Sequence, residues 1–94
     1  MYEIVMSDGA KKRLNKLPRH IANDIVKKIA WLAENADAID HERLRGRGEN
    51  SLHCGQYRMP YFRDVKNRVI YVEDIDKHDE AYRRLERRGF VMAF

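Results

Sequence analysis

The Leu17-Pro18 step narrows the folds open to this chain more than any other feature, because it cuts one basic, amphipathic stretch in two. Proline disfavours helical geometry in the residue before it, yet its fixed φ suits the first turn of a new helix. On the N-terminal side, Ala10, Leu14 and Leu17 recur at i, i+4 and i+7 between Lys11, Lys12, Arg13 and Lys16, with Ser7 placed to cap. On the C-terminal side, Ile21, Ile25, Ile29, Leu32 and Ala33 make one stripe and Asn23, Asp24, Lys27, Lys28 and Glu34 the other. The spacing predicts a helical hairpin over residues 8–17 and 18–34 with two apolar stripes to bury.

The rest of the chain supplies the surface that could cover them. Tyr2, Ile4 and Met6 alternate with Glu3 and Val5, the period of a strand. Residues 35–50 lose periodicity, with Gly46 and Gly48 in a basic stretch, and read as a loop. A short strand over 51–54, a turn at Gly55 and a strand over 56–63 follow. In the last, Tyr57, Met59 and Tyr61 should face the helices, and Arg58, Pro60 and Phe62 the other side. Pro60 cannot donate to a sheet ladder, so an edge, a bulge or a kink is expected near Arg58. A polar break over 63–67, a strand over 68–75, a cap at Asp76 and a charged helix over 77–88 with Ala81, Tyr82 and Leu85 inward complete the pattern, up to Gly89. The tail, 90–94, has no assignment. The expected fold is α+β: a helical hairpin on one face of a mainly antiparallel sheet, a C-terminal helix, and one domain over 1–94. The opposite sheet face, with Arg58, should stay partly open.

Composition excludes several classes of function. At 44% hydrophobic and 36% charged residues the chain is neither disordered nor membrane-spanning, and its N-terminus lacks the basic start and apolar stretch of a leader, so a cytoplasmic protein is expected. Cys54 is the sole cysteine, and His20, His41, His53 and His78 lack the spacing of a metal pair on one helix face. No metal and no cofactor is expected. The net charge is only +4, but Arg43, Arg45 and Arg47 cluster in one segment and Arg83, Arg84, Arg87 and Arg88 in another, which suits phosphate contacts.

Two segments carry a resemblance: Gly55-Gln56-Tyr57-Arg58-Met59-Pro60-Tyr61, and Ile75-Asp76-Lys77-His78-Asp79-Glu80-Ala81-Tyr82. Together with the alternating first strand, the helical hairpin and Leu44-Arg45-Gly46, they resemble the RelE/ParE superfamily of toxins. The resemblance keeps Gly55, Tyr57, Arg58, Tyr61, Asp76 and Tyr82 in place and spans nearly the whole chain. It implies a toxin neutralised by a cognate antitoxin. RelE-like members cleave messenger RNA, usually on the ribosome; ParE-like members poison DNA gyrase and cut nothing.

Metal-free RNA cleavage needs a base for the ribose 2′-hydroxyl, cations for the phosphate and an acid for the leaving 5′-oxygen. Arg58, on a strand, offers a fixed fork of donors for a phosphate; its alternative use is an ion pair with Asp74. His53 and His78 fall where RelE-like toxins carry basic residues, and as imidazoles they suit proton transfer. Tyr82 matches the tyrosine that in such relatives lies near the cleaved nucleotide. Lys77, Arg45, Arg47 and Arg83 are candidates for RNA contacts. Ser51 stands where related ribonucleases carry a cation, a difference that favours the gyrase alternative.

Overall fold

In the computed structural model, which describes residues 1–43 and 49–77, Ser7 is the joint between the first strand and the first helix. β1 (Glu3–Met6) ends there. The Ser7 hydroxyl accepts the Ala10 N–H at 3.0 Å and so caps α1 (Asp8–Lys16), while its own proton goes to the Glu73 carbonyl at 2.7 Å. One side chain thus starts the helix and ties it to the sheet. Leu17 is extended, as a residue before proline must be, and α2 (Arg19–Asn35) starts directly after Pro18. The predicted hairpin is present within a residue at each end. The α2 residues Ile25, Ile29, Leu32 and Ala33 are buried with Leu52, Met59, Tyr61, Ile70, Val72 and Ile75. Each fully buried Ile or Leu contributes about 1.5–3 kcal/mol.

The strands β2 (Glu42–Arg43), β3 (Asn50–Cys54), β4 (Tyr57–Asp64), β5 (Val69–Val72) and β6 (Asp76–Lys77) join β1 in one sheet. Its order is β1-β5-β4-β3-β2, with β6 also paired to β4. All pairings are antiparallel except β1 with β5. Met59 and Tyr61 point into the core and Tyr57 packs against it, so the alternation read in β4 holds. The opposite face differs from expectation at its centre. Val5 and Tyr71 are exposed at its rim, but Pro60 and Ser51, paired across β3 and β4, are both buried.

Two further differences are local. The expected loop over 35–50 contains β2, whose two-residue pairing with Asn50 and Ser51 is too short to give a period. The expected strand over 68–75 breaks after Val72 and resumes as β6, which holds Asp76, expected as a helix cap, and Lys77, expected in the helix. The register explains the break. β5 pairs Val72 with Tyr61, yet β6 pairs Asp76 with Arg58, one residue out of step, which is a bulge in the strand facing Pro60. Pro60 still accepts the Glu73 N–H at 2.9 Å through its carbonyl. Its missing donor faces the same gap, so a proline sits in a central strand without orphaning a ladder partner. The rest of the predicted C-terminal helix lies outside the described residues, as does the tail.

Beyond the end of α2 two clasps hold the helix to the sheet. The Tyr2 hydroxyl donates to Asp37 at 2.6 Å, Arg68 donates to the other Asp37 oxygen at 2.6 Å, and the Arg68 guanidinium lies 4.1 Å over the Tyr2 ring. The Tyr2 hydroxyl and then Arg68 hold the Asp37 carboxyl below its usual range; the same hydrogen bond raises Tyr2. In the second clasp His41 Nε2–H donates to the Ala36 carbonyl at 2.7 Å, so its Nδ1 accepts the Tyr61 hydroxyl. Burial pushes Tyr61 up to about 12. Arg63 adds a second donor to the Ala36 carbonyl, at 2.8 Å.

Candidate functional site

Gly55 and Gln56 form the two-residue turn that joins β3 to β4. Gly55 has φ of 60° and Gln56 a negative φ, the pattern of a type II′ turn, which matches the twist of the strands it joins. That turn fixes the register, and the register sets His53 directly opposite Arg58. Opposed residues share a sheet face, with Cβ atoms about 5 Å apart. On the other flank of β4, the bulge sets Asp76 opposite Arg58. His53, Arg58 and Asp76 therefore form one row across β3, β4 and β6. His53 is exposed and Arg58 half-buried. Without the one-residue slip, Ile75 would take the place opposite Arg58. With it, Ile75 joins the core instead.

A helix supports this row from the side. Arg13 of α1 reaches Asp74 at 3.3 Å and Asp76 at 3.7 Å, and Asp74, fully buried, also accepts the Ile75 N–H at 2.8 Å. Arg13 is thus one partner of the carboxylate that the sequence offered to Arg58 for an ion pair. A buried carboxylate needs such donors, because desolvating it without them costs several kcal/mol. Asp76 also accepts the Lys77 N–H at 2.7 Å, which fixes its own orientation.

Of the sequence-predicted residues, His53 and Arg58 are brought together. Lys77 is exposed and opposite Tyr57, on the other side of the pleat from Arg58. His78, Tyr82, Arg83, Arg45 and Arg47 lie outside the described residues. Ser51 is buried, two residues from His53 on the same face, and its hydroxyl has no hydrogen-bond partner among the described residues. The sequence reading missed Asp76 as a neighbour of Arg58, and Arg13 as its support. The signal for Asp76 was Pro60, whose implied bulge shifts the following strand by one residue. Chemically, the row offers a guanidinium for a phosphate, an imidazole for a proton, and a carboxylate on the strand beside them. Among the described residues, no three His, Cys, Asp or Glu side chains are grouped to hold a metal ion, and no helix is long and apolar enough to cross a membrane.

The fold has close counterparts. The toxin chain of the RelBE toxin–antitoxin complex of Escherichia coli superposes with a TM-score of 0.72 at 22% identity, over 84% of this chain and 99% of that one. That of a RelBE complex from Mycobacterium tuberculosis gives 0.70 at 23%, over 82% and 98%. A RelE–RelB complex from the archaeon Pyrococcus horikoshii gives 0.69 at 20%, over 83% and 96%. These three are complexes of a toxin with its antitoxin, and the likeness to this chain is one of fold. No curated protein matches the sequence. The model of the ParE toxin of the type II toxin–antitoxin system parDE matches residues 4–82, which takes in the described helices and, apart from Glu3 of β1, the described strands, together with Arg58 and Tyr82. The chain belongs to that family, and it is the toxin of a type II toxin–antitoxin system.

Proposed function

We propose that this toxin, acting as a single domain over residues 1–94 in the cytoplasm, arrests growth by cleaving messenger RNA on the ribosome without a metal ion, and that a cognate antitoxin neutralises it. The observation that carries this reading is the cross-strand pair His53–Arg58, held in register by the Gly55-Gln56 turn. The ribose 2′-hydroxyl attacks the adjacent phosphorus and gives its proton to a histidine. The P–O5′ bond breaks, and the 5′-oxygen takes a proton from a second acid, leaving a 2′,3′-cyclic phosphate. Atoms balance with no cofactor. Arg58 stabilises the charge that grows on the phosphate oxygens. His53 and His78 carry the protons, and Tyr82 stacks on the neighbouring base or assists proton movement. Arg45, Arg47 and Arg83 contact the RNA backbone, while Lys77, across the pleat, contributes positive charge at the site's margin.

The family match itself favours a second reading, inhibition of DNA gyrase by protein contact. Neutral Ser51, where a phosphate contact is expected, fits that reading too. One experiment separates the two: induce the chain from a repressed promoter, map messenger RNA 5′-ends, and assay purified gyrase for supercoiling. Codon-phased cuts that vanish in Arg58→Ala support the ribonuclease. Intact messages with lost supercoiling refute it.

A further inference from the structure

Resting on the ribonuclease reading, we propose that Trp31 and Lys28 form a shelf that binds a nucleotide of the substrate RNA on the helix side of the β3 edge, further along the strand from the cleaved phosphate. Trp31 is the only tryptophan of the chain, on the β3-facing shoulder of α2, and it is 40% exposed. An indole left in water on a surface helix is costly apolar area. It is also half-dressed for a ligand: the Lys28 ammonium lies 4.3 Å from the ring centroid. Trp31 uses its backbone carbonyl to accept the Asn35 side-chain amide, while its indole N–H has no hydrogen-bond partner among the described residues.

The surroundings favour a nucleotide over a simple apolar ligand. Trp31 and Lys28 line a shallow cavity of about 220 Å³ with Ile39, Asp40, Leu52 and His53. His53 borders the shelf at the β3 edge while its side chain shares the Arg58 face, so an RNA strand that crosses that edge would meet the two sites in succession. The exposed indole, with Ile39 beside it, supplies an apolar surface for a base; Lys28 supplies the charge for its phosphate. Asp40 opposes a phosphate but accepts hydrogen bonds, so the bed suits a base that presents an amino group, adenine, cytosine or guanine, over uracil.

Because Trp31 is the sole tryptophan, its fluorescence reports on the shelf directly. The purified full chain is titrated with a short single-stranded RNA carrying 2′-O-methyl riboses, which cannot be cut, and binding is read in parallel by anisotropy of a label on the RNA. Saturable quenching is expected. Trp31→Ala should weaken binding about tenfold and Trp31→Phe much less, as loss of one stacked base predicts. Lys28→Gln should lower the salt slope by about 0.7, the share of one phosphate on a single strand. Unchanged circular dichroism in all three variants separates a lost contact from a lost fold. If wild type cuts messages but its fluorescence ignores RNA and Trp31→Ala binds normally, the shelf is wrong and the ribonuclease reading stands. If wild type cuts no message yet RNA quenches Trp31, and Trp31→Ala abolishes binding, the ribonuclease reading falls and the shelf survives as an RNA site. Quenching by purified antitoxin with none by RNA would overturn the shelf in favour of a protein contact.

Discussion

β4 carries two arginines five residues apart, and the two ends of the strand use them oppositely. Arg63 points to the helix side, where it donates to the Ala36 carbonyl at 2.8 Å and approaches Asp37 at 3.7 Å. Around it His41, Tyr61, Tyr2 and Arg68 close the end of α2 against the sheet. Arg58, on the other face, lies in a row with an exposed histidine and a carboxylate that a bulge has moved into place. The same side chain is a fastener at one end and, in the proposed function, a reagent at the other. What decides is the pleat, which alternates faces, together with what each face has to cover: helix carbonyls on one side, the Arg58 row on the other.

The largest effect should come from exchanging the roles. Arg58→Ala is expected to reduce growth arrest and message cleavage about 100-fold or more with a melting temperature near wild type, whereas Arg63→Ala should keep the toxicity and lose about 1 kcal/mol. If Arg58→Ala is the variant that unfolds, the contrast is broken. Next comes Arg13→Ala, which thins the support of the buried Asp74 and should cost about 2 kcal/mol in denaturant unfolding, destabilising the Arg58 end from outside it. Tyr61→Phe removes the hydroxyl that His41 accepts from, and about 1 kcal/mol should go with no change in toxicity. Gly55→Ala meets nothing within 4 Å but must adopt φ of 60°, so about 1 kcal/mol of strain is expected, with a looser His53–Arg58 register seen as cross-strand NMR contacts that weaken. The smallest effect is on acid stability. Because Asp37 is depressed from its usual 3.8, its contribution is present above that value and is lost as the pH falls through the folded one. Thermal melts of Asp37→Asn should therefore fall less steeply with acid than those of wild type.

The fastening end was poorly legible in the sequence and the Arg58 end rather better. The Leu17-Pro18 break, the Ser7 cap and the alternation through Met59 and Tyr61 are local signals, and each is realised where it was read. Arg58 emerged from that same alternation. The clasps were not legible, because Tyr2, Asp37 and Arg68 are 31 or more residues apart and meet only through the fold. Asp76 was misread for a different reason. As a carboxylate just past the end of the expected strand it has the composition of a cap, and only the slip of register opposite Pro60 makes it a strand neighbour of Arg58. Lys77 followed it into β6 for the same cause.

Pro60 also sets how the sheet comes apart. A ladder normally opens like a zipper, each broken rung loosening the next. Here β4 changes partner at a residue that never had a rung to give on that side, so the two-residue β6 ladder and the four-residue β5 ladder are joined by a perforation, bridged by the single bond from Glu73 to the Pro60 carbonyl. Local opening of β6 would then move Asp76 without breaking the β5 ladder. In hydrogen exchange it would show as amides of 76–77 exchanging well ahead of those of 69–72.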